Sequence, residues 1–178
     1  MSATQPLPQE EIDVQCDLLL TQVIDRQLSR LIQAGAEAVA TLKPASGKTP
    51  MEESQFRNVL NVAQETSSVD VITNFIRYQI GRTPWVWGTR ATAFGPTLIR
   101  DIEDGAVRQA AQAVRDTVRD TLQARLQVDT PPEVFDHAYI RLTRLYLGYA
   151  MRVFYYGKRR EDDGDPTAWD QLFRREKE

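Results

Sequence analysis

The chain has 178 residues, enough for one domain with a buried core. Hydrophobic residues make up 42% and charged residues 26%, which excludes a disordered chain. The formal net charge is −3, from 22 Lys+Arg against 25 Asp+Glu, and excludes a protein that coats nucleic acid by overall charge.

The chain opens MSATQPLPQEEIDVQ, with neither a positive nor an apolar leader region, so no secretory signal is expected. From about Pro8 to Leu42, apolar residues recur at helical spacing (Leu18, Val23, Leu28, Leu31, Ile32) and run into the small-residue stretch AGAEAVA. Residues 44–48, PASGK, read as a linker. Thr49, Pro50 and Glu52 then read as cap, first helical residue and capping-box partner of a helix reaching about Glu65. Ser67 and Ser68 are cap residues for the next helix, which carries Val69, Ile72, Phe75, Ile76 and Ile80 and stops at Arg82-Thr83-Pro84. Residues 84–95, PWVWGTRATAFG, read as a loop. Two tryptophans this close together, Trp85 and Trp87, are expected to divide between core and surface. Pro96 opens a helix to about Gln127, with a kink at Gly105. Thr130, Pro131 and Glu133 repeat the capping signature before a long last helix to about Arg160. Residues 1–7 and 161–178 read as flexible termini, with Asp165-Pro166 as a start signal for a short charged tail helix. No segment alternates apolar and polar residues. The expectation is an all-α, single-domain protein, a compact bundle of five or six helices.

Catalytic signals are missing. Cys16 is the single cysteine, so neither an internal disulfide nor a cysteine zinc site is expected. His137 is the single histidine, and no GxSxG, GxxxxGK[ST] or GxGxxG motif occurs. The run Glu161, Asp162, Asp163, Asp165 lacks EF-hand spacing and reads as a solvated charge cluster. The expectation is no catalytic residue, no metal and no cofactor. With no apolar run approaching 18 residues, a soluble cytoplasmic protein without membrane contact is expected.

The strongest physical signal lies in the last helix. Residues 138–160 hold six basic residues, Arg141, Arg144, Arg152, Lys158, Arg159 and Arg160, and no acidic one. At about 100° per residue, with Arg141 at zero, Arg144 falls at about −60°, Arg152 at about +20° and Arg159 at about 0°. Gly148 and Tyr155 fall in the same stripe, while Phe135, Tyr139, Leu142, Tyr146, Ala150 and Val153 form the opposite, apolar face. A solvated helix face usually mixes charge signs, because opposite charges four residues apart stabilise it. A one-sign stripe fits a phosphodiester backbone, which Gly148 would admit closely. The alternative is that acids of neighbouring helices neutralise it. Arginine supplies 18 of the 22 basic residues, and its planar fork suits phosphate. Arg108, Arg115 and Arg119 share another face, but among Asp104, Asp116 and Asp120 they read as ion-paired surface.

Four segments carry a resemblance: ESQFRNVL at Glu53–Leu60, NFIRYQIGR at Asn74–Arg82, GPTLIRDI at Gly95–Ile102, and FDHAYIRLTRLYLGYAMRVFYYGK at Phe135–Lys158. In this order they resemble the small subunit of type III CRISPR effector complexes, the Csm-type family. The resemblance covers roughly half the chain. It implies a non-catalytic helical protein, several copies of which stack along the duplex of guide CRISPR RNA and target RNA. Its implied partners are further copies of itself and the backbone and large polymerase-type subunits. Carried over, the RNA-facing residues are Arg57, Arg82 and Arg152, with Arg77 and Arg141 as weaker positions; the stripe adds Arg159. The segment before Lys48, the charged stretch 105–129, the tail and the WVWGTR insertion depart from the family pattern. Two other readings stand beside this one. One is a protein-only adaptor with no nucleic-acid contact, anchored by Trp85 and Trp87. The other is an enzyme using the acidic tail and a metal.

Overall fold

A computed structural model describes residues 8–170 and 172, and every regular element among them is helical. The elements are α1 (Gln9–Asp25), α2 (Leu28–Ala40), α3 (Glu53–Glu65), α4 (Val69–Arg82), the single turn α5 (Pro84–Trp87), α6 (Phe94–Glu103), α7 (Ala106–Leu126) and α8 (Val134–Asp162). One contiguous cluster of buried side chains joins all of them. No helix among the described residues is long and apolar enough to cross a membrane.

The all-α class agrees with the sequence; the count exceeds five or six for three physical reasons. The first helical segment is two helices. At the end of α1 the Gln27 backbone N–H turns back to the Ile24 carbonyl at 2.8 Å, so the chain bends with no glycine or proline to mark it. The kink expected at Gly105 is a full break: a Cβ there would lie 2.8 Å from the Asp101 Cα, so only glycine lets α7 start so close to the end of α6. Residues 84–87, expected as loop, close one helical turn.

Two capping expectations are also corrected. The capping box before α3 sits three residues later than expected: Glu52 caps the helix, and the Gln55 side chain accepts its N–H at 2.9 Å. The cap of α8 is Glu133 rather than Thr130, and its side chain makes no capping bond.

The centre of the fold is α8, 29 residues and about 44 Å long, against which α1, α2, α3, α4 and α7 all pack. Small residues set the closest approach. A Cβ on Gly35 of α2 would lie 3.3 Å from the Ala150 Cβ of α8, so the AGAEAVA stretch seats one backbone against the other. Where α8 meets α6, the fully buried Tyr146 hydroxyl donates to Asp101 at 2.8 Å. Burial raises the Asp101 carboxyl above its ordinary range, against the lowering effect of that bond.

The acidic run is solvated only in part: Asp162 and Asp163 are exposed, but Glu161 is not. Glu161 is almost fully enclosed and accepts from the Thr49 backbone N–H at 2.9 Å and from the Trp169 indole N–H at 2.8 Å, beside the buried Lys158. Asp162 pairs with Lys48, Asp163 with Arg159 and Asp165 with Arg160. Within the stretch expected as a flexible terminus, residues 161 and 162 belong to α8, and Ala168 and Trp169 are buried because the indole packs on Phe154 and Gly157. Among the described residues no tail helix follows Asp165-Pro166; the stretch 166–170 is turns. The rest of that expectation, residues 1–7, 171 and 173–178, lies outside the described residues.

Replacing Glu161 with alanine strands two buried N–H donors and the Lys158 ammonium. The expected cost is about 3 kcal/mol, read as a lower midpoint in urea denaturation. The exposed neighbour substitution Asp163→Ala should shift the midpoint by under about 0.5 kcal/mol.

Candidate nucleic-acid interface

Packing decides which part of α8 meets solvent. With Arg141 at zero, Arg144, Arg152, Tyr155, Tyr156 and Arg159 are exposed and fall between about −60° and +60°, and the half-exposed Tyr149 extends that strip to about +80°. His137 lies in the same strip, at about −40° and exposed. The opposite arc is buried, as the apolar periodicity predicts: Tyr139, Leu142, Tyr146 and Ala150 lie in the core, with Phe135 and Val153 packed at its edge.

The stripe is not uniform. At its C-terminal end it is neutralised: Arg159 pairs with Asp163 at 3.7 Å, Arg160 binds Asp165 and Thr167, and Lys158 is 8% exposed and donates to the Thr49 carbonyl. Tyr155 lies on the side of α8 toward α3, and interaction with the Glu53 carboxylate raises its phenol's pKa. Arg57, one turn further along α3, lies 3.9 Å from the same Glu53. The acids that neutralise this end lie on α8 itself and in the turn just after it, not on neighbouring helices as the alternative had it.

The middle of the stripe is different. Arg141, Arg144 and Arg152 line a groove of about 470 Å³ between α3 and α8, together with Leu60, Ala63, Gln64, Leu145, Gly148, Tyr149 and Met151. No acidic residue lines it. Gly148 forms an open stretch of the groove, since a Cβ there would meet nothing within 4 Å. The three arginines are held differently. Arg144 donates to the Ala63 carbonyl at 2.8 Å and the Thr66 carbonyl at 2.9 Å, capping the C-terminal end of α3. Arg141 leans on the Thr21 hydroxyl at 3.1 Å, and Arg152 lies over the Tyr149 ring at 5.2 Å. Both keep their remaining N–H groups toward solvent, since both side chains are exposed.

The other expected positions lie elsewhere. Arg82 ends α4, exposed and in no ion pair among the described residues. Arg77 is bound to Glu103 at 2.7 Å and to Thr73. Burial raises the Glu103 carboxyl, but the Arg77 guanidinium and the Thr73 hydroxyl beside it lower it further, and the lowering prevails. Arg77 is thus the position least available to a ligand. On α7, Arg115 and Arg119 are ion-paired as expected, whereas Arg108 lies over Phe135 and Tyr139 instead of pairing. The structural role of Arg144 was invisible in sequence, because its partners are carbonyls some 80 residues away.

Among the described residues no group of three or more His, Cys, Asp or Glu side chains is arranged to hold a metal. No family model matches the chain, and neither curated proteins nor solved structures include one similar to it. Fold and site together define an all-helical protein with an acid-free, arginine-lined groove.

Arg144 and Arg152 should separate by stability. Arg144→Ala removes two charge-assisted bonds and is expected to cost about 1–3 kcal/mol in a denaturant titration. Arg152→Ala should cost under about 0.5 kcal/mol.

Proposed function

We propose that the protein is a non-catalytic RNA-contacting subunit that grips the phosphate backbone along the α3–α8 groove. The specific setting is the one implied by the sequence resemblance: the small subunit of a type III CRISPR effector complex, several copies of which stack along the guide–target RNA duplex. The observation that carries this reading is the acid-free middle of the α8 stripe. In a chain of net charge −3, two exposed arginines flank an open glycine, and a third is fixed at the groove wall. Guanidinium groups that hold no carboxylate keep their fork free for phosphate oxygens. The Gly148 opening allows a backbone, rather than only a side chain, to approach the helix.

So small a patch binds weakly alone. With about two or three phosphates engaged, the logarithm of the affinity should fall against the logarithm of salt with a slope of about −2 to −3. Stacked copies on one RNA raise the effective concentration, so weak sites sum to stable binding. The partners in this reading are guide and target RNA, neighbouring copies, and the backbone and large subunits of the complex.

The test is charge reversal at Arg141 and Arg152 together, with Arg144 left in place because it caps α3. The doubly substituted chain should keep its circular-dichroism melt. It should lose RNA affinity at least about tenfold at low salt, with a flatter salt slope. An unchanged melt with unchanged RNA affinity would put the groove outside RNA contact and favour a protein-only adaptor.

A further inference from the structure

The two tryptophans of the PWVWGTR segment divide as the sequence leads one to expect. Trp87 is fully buried and stacks on Phe94, with centroids 5.6 Å apart and planes at 27°. Trp85, two residues earlier, is 72% exposed. This exposure is built in. The turn is closed by the Val86 N–H on the Thr83 carbonyl at 3.0 Å and the Gly88 N–H on the Pro84 carbonyl at 2.9 Å. Gly88 leaves it at φ 73°, and a Cβ there would lie 2.3 Å from the Ala93 Cβ. With Val86 and Trp87 pinned in the core, the turn holds the Trp85 indole outward.

The residues that flank Trp85 along the chain have a definite chemistry. Arg82 and Tyr78 lie one turn apart on the last two turns of α4, both exposed, and Arg90 follows the turn, also exposed. Among the described residues neither Arg82 nor Arg90 enters an ion pair. No ring and no guanidinium of the described residues stacks on Trp85, whereas Trp87 and Trp169 each stack on a phenylalanine. A protein-binding anchor sits at the centre of a wider apolar patch. Here the exposed residues beside it in sequence are Arg82, Pro84, Thr89, Arg90, Ala91 and Thr92, and the large exposed ring before it on α4 is Tyr78, which packs on the half-buried Phe75. An isolated flat ring among unpaired arginines matches single-stranded nucleic acid, which offers a base face and a phosphate at each step.

We propose that Trp85, flanked by Tyr78, Arg82 and Arg90, is a stacking platform for an unpaired nucleobase of single-stranded RNA. This rests on the reading of the protein as an RNA-contacting subunit, but it uses a different surface, the α4–α5 corner, and a different part of the RNA.

The experiment uses the full chain at low ionic strength. It compares an oligouridine of about eight nucleotides, long enough for one single-strand site, with a blunt RNA duplex. Of the three tryptophans only Trp85 is open to an aqueous quencher, since Trp87 and Trp169 are buried. Oligouridine should quench the iodide-accessible emission saturably. Trp85→Ala should weaken oligouridine binding about tenfold, Trp85→Phe should restore most of it, and duplex affinity should not change. The Arg82→Glu/Arg90→Glu variant should weaken the same binding. If RNA binds and depends on Arg141 and Arg152, yet the accessible emission and the Trp85→Ala affinity stay unchanged, the platform is overturned and the groove reading survives. If neither RNA binds, both fall. Should Trp85→Ala leave RNA binding intact but abolish association with a protein partner, the ring is a protein anchor and the platform is likewise overturned.

Discussion

The enclosure of α8 constrains everything else in this molecule. Five helices pack against it, and the buried arc covers well over half of its circumference. Such packing needs close approach, which the small residues of α2 supply where Gly35 meets Ala150. It also demands a buried face wider than an ordinary amphipathic stripe. What remains is one narrow strip that no helix covers, and every long basic side chain of α8 must either reach along that strip or find a partner inside the fold. The candidate site is the remainder left by packing.

That constraint explains why six basic residues on one helix do different things. Lys158 falls on the covered side and is satisfied by Thr49 and Glu161. Arg160 ties the helix end to Asp165 and Thr167. Arg144 reaches across to α3 and satisfies carbonyls that the helix itself cannot. Arg141 and Arg152 have only a hydroxyl and an aromatic ring beside them, neither of which offsets a charge. A net-negative protein can therefore present a locally positive groove, because its carboxylates are spent elsewhere: at the α8 terminus, on α7 and on Arg77.

Both surfaces proposed to face RNA are tied to the fold by specific contacts. Arg144 ties the middle of α8, where the groove lies, to the C-terminal end of α3. Trp87 locks the turn that displays Trp85. Contacts that hold a group in place beforehand lower the ordering cost of binding, which matters most where each contact is weak. The groove offers charge and an open backbone; the α4–α5 corner offers ring faces. Those differences fit a paired and an unpaired part of one polynucleotide.

The sequence by itself determined the helical class, the bounds of α4 and the end of α8 to within two residues, the apolar face of α8 and the one-sign stripe opposite it. These follow from local rules: a 3.6-residue period, proline stops and charge spacing, none of which needs a distant partner. It also led one to expect Trp85 and Trp87 to divide between core and surface, though not which ring goes inside. Only the tertiary structure decided that, because Phe94 and Gly95 receive Trp87 from another helix. It likewise decided that α1 and α2 are separate, that the acidic run is a paired seam, and that of the six expected arginines Arg77 is tied to an acid while Arg141 and Arg152 share a groove. A charge pattern states what a helix carries. Whether a given arginine is spent or free depends on which carbonyl or carboxylate the fold brings within 4 Å, and for Arg144 those carbonyls lie some 80 residues away.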